Sequence, residues 1–159
     1  MNKSNQEKNI KIIAQNKKAF HDYEILERLE AGIVLLGSEV KSIRKGEISL
    51  ADSYVLYENG EMFVHHMHIN PFQQKGFTVP VPYRKRKLLL HASQIKWLAS
   101  EVERKNLTII PLKVYFDKKH VKLEIGLCRG LKKFDKREKI AKEEEKKRLE
   151  QIMKIRGKR

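Results

Sequence analysis

Few side chains in this sequence are suited to covalent or metal chemistry. Cys128 is the single cysteine, which excludes an intramolecular disulfide and a cysteine-based metal site. Arg129 beside it would lower a thiol pKa, but the sequence places no base near it, so Cys128 reads as a small core or rim residue. His65-His66-Met67-His68 is the one metal-like cluster. On a strand His66 and His68 share a face, yet two imidazoles without a nearby carboxylate or thiolate do not complete a metal shell. His21-Asp22 joins a base to an orienting carboxylate in sequence, but strand neighbours point to opposite faces. The phosphate-cradling G-x-x-x-x-G-K-[ST] loop, G-x-S-x-G and H-E-x-x-H do not occur. We therefore expect no catalytic residue, no metal and no cofactor.

Charge says more. The chain carries 35 Lys plus Arg against 20 Asp plus Glu, a net charge of +15, and the natural counter-charge for such a protein is nucleic acid. Tyr83-Arg-Lys-Arg-Lys87 is a dense cationic stretch, and Lys41, Arg44 and Lys45 form a second patch. On electrostatic grounds Lys41, Arg44, Arg84 and Arg86 are candidate phosphate contacts, with nearby aromatics available to bases. Glu30 stands out as an acid among bases, able to end a strand or to accept hydrogen bonds from base edges or ribose hydroxyls.

The elements that must position these residues are mostly strands. Val121–Leu127 alternates strictly, placing Val121, Leu123, Ile125 and Leu127 on one face. Leu107–Phe116 is β-branched and aromatic, and Asp117–His120 reads as the turn between the two. Pro111 belongs at an edge or bulge. Asn59-Gly60, between Ser53–Glu58 and Glu61–Ile69, is a strong hairpin signal. Gly32 and Gly37 punctuate an apolar run, Ile33–Ile43, expected to be a sharply bent strand. One helix is predicted, capped by Ser93, with Ile95, Leu98, Ala99 and Val102 at helical spacing and an end near Asn106. The expected fold is mainly β: a small antiparallel OB-type barrel of about six strands with one to three short helices.

Composition sets the boundaries. At 159 residues the length suits one domain with tails. Residues 1–18 form a basic arm, 19–129 the barrel, and 130–159 a tail with 13 basic and 6 acidic side chains. The tail is too poor in apolar residues to fold alone, although Glu138–Arg148 favours helix by propensity and by pairs such as Glu143–Lys147. It is expected to be disordered when free and helical against a partner. No apolar run is long enough to span a bilayer, and the first residues do not read as a secretory leader, so a cytoplasmic location is expected.

Four motifs point to a family. Asn16-Lys-Lys-Ala-Phe-His-Asp-Tyr23, Glu30-Ala-Gly-Ile-Val-Leu-Leu-Gly-Ser-Glu-Val-Lys-Ser-Ile-Arg44, Arg84-Lys-Arg-Lys-Leu-Leu-Leu-His91 and Asp135-Lys-Arg137 together resemble the SsrA-binding protein family, also called small protein B. The resemblance runs in order from about residue 14 to the end. It implies an OB-type barrel and a bacterial, non-enzymatic adaptor of trans-translation, the rescue of ribosomes stalled on messages lacking a stop codon. The implied partners are transfer-messenger RNA and the stalled ribosome. Alanyl-tRNA synthetase and the tRNA-delivering elongation factor would be indirect partners.

The resemblance assigns contacts with the tRNA-like domain to Glu30, Leu89 and His91. It implies that the tail enters the decoding centre and the empty message channel. There Gly130 would be the hinge, Phe134 would stack on a ribosomal base, and Lys132, Asp135, Lys136 and Arg137 belong to the segment in contact. Three positions depart from the family pattern: Leu131 in place of a usual Lys, Val81 in place of an acid, and Gln94 in place of a frequent Glu. Two other readings compete: a structural RNA-binding protein of the ribosome, and an RNA-processing enzyme using His21 or the His65–His68 cluster.

Overall fold

Ile10–Gln15 (β1) stops at Asn16, which turns the chain into the short helix Lys17–Asp22 (α1). Asn16 does this as a buried cap. Its side-chain oxygen accepts from the Ala19 N–H at 3.2 Å, and its amide donates to the carbonyls of Pro111 at 3.0 Å and Leu50 at 3.4 Å. One residue thus ties α1 to two distant segments and satisfies helix-end groups that would otherwise be orphaned. The computed structural model describes residues 10–71, 79–131 and 133–157, with the backbone alone for 133–136.

The remaining elements are Tyr23–Ile33 (β2), Gly37–Arg44 (α2), Ile48–Ser49 (β3), Tyr54–Glu58 (β4), Glu61–His65 (β5), His68–Ile69 (β6), Arg86–Leu89 (β7), Ala92–Lys105 (α3), Thr108–Asp117 (β8), His120–Gly130 (β9) and Lys133–Arg156 (α4). All strand pairings are antiparallel. Neighbours run β8-β4-β5-β7-β2-β9, and β9 returns to β8. That cycle closes a six-stranded barrel of the expected OB type, with β1 laid along β8 beside β4. β3 and β6 form a separate ribbon.

Local chemistry explains most boundaries. Asn59 and Gly60, with φ of 49° and 84°, make the left-handed pair that a tight β4–β5 hairpin requires. Lys118, φ 56°, turns β8 into β9. The β8–β9 register shifts between Pro111 and Lys113, so Pro111 sits at a bulge, where its missing N–H costs no ladder bond. The core follows the alternation read from β9: Leu123, Ile125 and Leu127 are buried with Val64, Met62 and Leu88. Leu98 of α3 packs into the same cluster, flanked by Ile95, Ala99 and Val102.

Two expectations are corrected. The apolar run after Gly32 is not a bent strand. β2 ends at Ile33, and Gly37–Arg44 is helical, because Glu39 Oε1 accepts the Leu36 N–H at 2.9 Å and so caps a helix start. α3 begins at Ala92 with His91, not Ser93, as its cap residue. The His91 N–H donates to Gln94 Oε1 at 3.0 Å, so the glutamine at the departing position performs the reciprocal half of a capping box.

A second, smaller cluster lies under α1, where Ala19, Ile110, Leu112 and Cys128 are buried together. Burial pushes the Cys128 thiol up to about 11, against the lowering that Arg129 suggested in sequence. At neutral pH it is a protonated packing group rather than a nucleophile.

Candidate nucleic-acid interface

Strand register brings Glu30, Leu89 and His91 together. Gly32 of β2 pairs with Leu89 of β7 on one side and Lys122 of β9 on the other. A Cβ on Gly32 would stand 3.1 Å from the Leu89 Cβ, so glycine permits the close approach. His91 follows at the start of α3. The result is a shallow groove lined by Glu30, Gly32, Leu89, Leu90, His91, Gln94 and Lys122. Leu89 is 53% exposed, a leucine offered to solvent between an acid, an imidazole and an ammonium.

Glu30 is pre-positioned. The Tyr115 hydroxyl donates to its Oε2, and no other described residue bonds its carboxylate. Burial, then the hydrogen bond to Glu30, raises the Tyr115 phenol well above its ordinary range, so it stays a donor at any physiological pH. The groove can therefore accept hydrogen bonds at Glu30, donate at Lys122 and offer an apolar face at Leu89. Such a mixture suits base edges and ribose hydroxyls. Sequence reasoning missed Tyr115 and Lys122. Lys122 was legible as an outward position between Val121 and Leu123. Tyr115 required the β2–β9–β8 register.

The predicted cations divide. Lys41 and Arg44 are exposed on α2, the Arg44 guanidinium lying 5.8 Å from the Phe116 ring centre. Arg84 is partly exposed, with its guanidinium 2.5 Å from Glu39 Oε1. Arg86 is a correction: it is fully buried and cannot reach a phosphate from there. Its Nε donates to Glu39 Oε2 at 2.5 Å, and its Nη atoms donate to the carbonyls of Met67 at 2.8 Å, Arg84 at 2.9 Å and Pro82 at 3.2 Å. Strand alternation is the cause, since Arg86 shares the inward face of β7 with Leu88 while Lys87 and Leu89 face out. Burial works to raise the Glu39 carboxyl, but bonds from Arg84, the Leu36 N–H and Arg86 together hold it below its ordinary value.

The tail leaves from the far end of the same strands. Gly130 pairs with Tyr23, nine residues along β2 from Gly32, or roughly 25–30 Å at the usual rise per residue. The Leu131 N–H donates to the Asp22 carbonyl at 3.1 Å. Lys139 of α4 donates to the carbonyls of Phe20 and Tyr23, both at 2.8 Å, which ties the start of the helix to the end of α1. Beyond that tie Leu149, Ile152, Met153 and Ile155 are exposed. Arg137 is exposed. Lys132 and the side chains of Phe134, Asp135 and Lys136 lie outside the described residues.

His21 and Asp22 lie in α1 rather than on a strand. The histidine cluster is also rearranged: β5 ends at His65, His66 has φ 58°, and His68 belongs to the β3–β6 ribbon. Among the described residues no three His, Cys, Asp or Glu converge in a metal-binding arrangement, and no helix is long and apolar enough to cross a membrane.

Comparison with known proteins decides the family. The SmpB protein family model matches residues 13–155. This chain belongs to the SmpB family. It is 48% identical over 155 residues to the SsrA-binding protein of Syntrophobacter fumaroxidans, spanning 98% of this chain and 96% of that protein. To the SsrA-binding protein of Acetivibrio thermocellus it is 51% identical over 132 residues, 83% and 86% of the two chains. A solved SmpB-family structure, described as "tmRNA-SmpB: a journey to the center of the bacterial ribosome", superposes with a TM-score of 0.64 at 41% identity, covering 80% of this chain and 93% of the other.

Proposed function

We propose that this protein is a non-enzymatic adaptor of trans-translation that binds the tRNA-like domain of transfer-messenger RNA and accompanies it to stalled ribosomes. The observation that carries this reading is the convergence of Glu30 from one motif with Leu89 and His91 from another on one groove. The names of the relatives, SsrA-binding proteins, and the solved structure that the fold resembles, whose description names tmRNA-SmpB and the bacterial ribosome, support it. The groove fixes orientation on the RNA, while Lys41, Arg44 and the exposed part of Arg84 supply salt-sensitive attraction to phosphates. Alanylation and delivery to the ribosome fall to alanyl-tRNA synthetase and the tRNA-delivering elongation factor. The site of action is the cytoplasm.

The decisive experiment titrates the purified chain with the tRNA-like domain, using an ordinary elongator tRNA as competitor, at two salt concentrations. Preference for the tRNA-like domain should persist at the higher salt, with log K falling by ~0.7–0.9 per phosphate neutralised. Glu30→Ala, Leu89→Ala and His91→Ala should each weaken binding, Glu30→Ala by about tenfold or more, since a hydrogen bond to a charged group is worth ~1.5–3 kcal/mol. Unchanged affinity in all three variants would remove the groove from the interface.

For residues 130–159 we infer a tail that is disordered in the free protein and helical on the ribosome, where it occupies the decoding centre and the empty message channel. Gly130 is its hinge, and Lys132, Phe134, Asp135, Lys136 and Arg137 are its first contacts. The composition of α4 supports this: its apolar side chains are few and mostly exposed, and packing rather than propensity stabilises most helices. Amide exchange on the free protein is expected to be fast across 142–156, beyond the Lys139 tie. Strong protection there would show a helix that is stable without the ribosome.

A further inference from the structure

Tyr54 and His65 face each other across the β4–β5 pair, their rings stacked 5.4 Å apart and only 6° from parallel. The His66 ring lies 5.7 Å from Tyr54 and 5.9 Å from Tyr83. His68 lies 4.9 Å from Tyr83, tilted by 59°. Five rings from three segments thus form one continuous row, His65–Tyr54–His66–Tyr83–His68. Nothing in the groove described above uses it.

The row is not core packing, because His66 is exposed and Tyr83 is 56% exposed. It is also deliberately held. His66 keeps φ at 58°, in the left-handed region that costs a residue with a side chain unless its surroundings impose it. His65 is fixed by Glu58 Oε1 at 2.9 Å, and Glu58 in turn by Lys85 at 2.8 Å. The Tyr83 loop is held from inside by Arg86, which donates to the carbonyls on either side of it, at Pro82 and Arg84.

We propose that this row is a stacking platform for unpaired RNA bases, at the end of the barrel away from the Glu30–Leu89–His91 groove. Rings offered to solvent on a strongly cationic protein are the feature that binds single strands, because every base has a π-face to stack. Tyr54 also walls a cleft that contains Lys18, Asp22, Asp52, Ser53 and Thr108. Lys18 pairs with Asp52 at 3.5 Å and the buried Ser53 donates to the Leu50 carbonyl, so the exposed Thr108 hydroxyl is the group beside the ring that can read the edge of a splayed base. Register sets the position of the platform. β5 pairs Phe63 with Lys87 and Val64 with Arg86, so His65 lies at the start of β7 and Leu89 at its far end. The two surfaces can be occupied together.

The test uses the full chain and a short single-stranded oligoribonucleotide carrying a fluorescent adenine analogue. It is run on the free chain and on chain saturated with the tRNA-like domain, so that failure of the platform and failure of the groove are read separately. Binding should quench the analogue in both arms. His66→Gly combined with Tyr83→Ala should weaken binding of the oligonucleotide about tenfold or more, as expected for loss of base–aromatic stacking, and abolish the quench. Glycine suits the backbone at position 66, and an unchanged thermal melt of the variant would certify its fold. Glu30→Ala with His91→Ala should leave oligonucleotide binding unchanged. The platform is overturned if the ring variant binds as tightly as the parent, if binding occurs without quenching, or if saturating tRNA-like domain displaces the oligonucleotide.

Discussion

A chain ending at Leu131 is expected to bind the tRNA-like domain as the full chain does, within a few-fold, yet to support no tagging of proteins on stalled ribosomes. Gly130 and Leu131 stay because they complete the fold, through the pairing with Tyr23 and the bond to the Asp22 carbonyl. Among the described residues, the removed helix meets the barrel beside α1 and Glu24 of β2, at the opposite end from the groove. Their excess positive charge acts on RNA at long range, so any loss of affinity should vanish at higher salt, where the Debye length falls below ~8 Å. The measurement pairs an RNA titration with a reconstituted tagging reaction. A truncated chain that still tags would refute the role assigned to the tail. One that loses RNA affinity at high salt would mean that the tail helps to hold the tRNA-like domain.

The second large effect is on stability. Arg86→Ala should cost about 3–5 kcal/mol, the range for removing one partner of a buried ion pair, and a urea denaturation midpoint would read it. The loss is more than one contact. Glu39, 1% exposed, would keep its charge without Arg86, and the carbonyls of Met67, Arg84 and Pro82 would lose their donor. Arg86→Met with Glu39→Gln should recover part of the loss, because the glutamine still accepts the Leu36 N–H and no uncompensated charge remains. The pH dependence has a definite sign. The Glu39 carboxyl is held below its ordinary value in the fold, so its stabilisation is complete above the unfolded-state pKa and is lost as pH falls through the folded one. The double variant should lack that acid-side loss. A midpoint for Arg86→Ala within about 1 kcal/mol of the parent would show that the pair is replaceable.

Sequence pattern was sufficient where a residue's neighbours in the chain determine its environment. The β4–β5 turn at Asn59-Gly60, the inward face of β9 and the bulge at Pro111 follow from local conformational rules, and each is found. It was insufficient where the environment is supplied from far away. Ile33–Ile43 has an apolar content that suits a strand, but Glu39 closes a helix cap and meets Arg86 from a segment 47 residues away. The basic stretch before β7 looked like a uniform patch because charge was counted without its phase on the strand. Continuing the alternation back from Leu88 turns Arg86 inward. The groove was legible as three residues of a resembled family, whereas the Tyr115 bond that sets Glu30 depends on strands that meet only in the barrel.

The closing seam of the barrel has a bearing on how the protein is made. β2 pairs with β9 from Tyr23 opposite Gly130 to Gly32 opposite Lys122, so a long ladder joins the earliest large strand to the last. Such distant pairing gives the domain a high contact order and slow folding. During synthesis β2 and β8 must each wait with one hydrogen-bonding edge unpaired until β9 is made. The β8–β9 hairpin, by contrast, is local and can form as soon as its codons are read. Everything before His120 is thus an open sheet, and the last eleven residues of the domain convert it into a closed one. A message broken upstream of that point yields a polypeptide whose barrel cannot close, with β2 and β8 left as open edges.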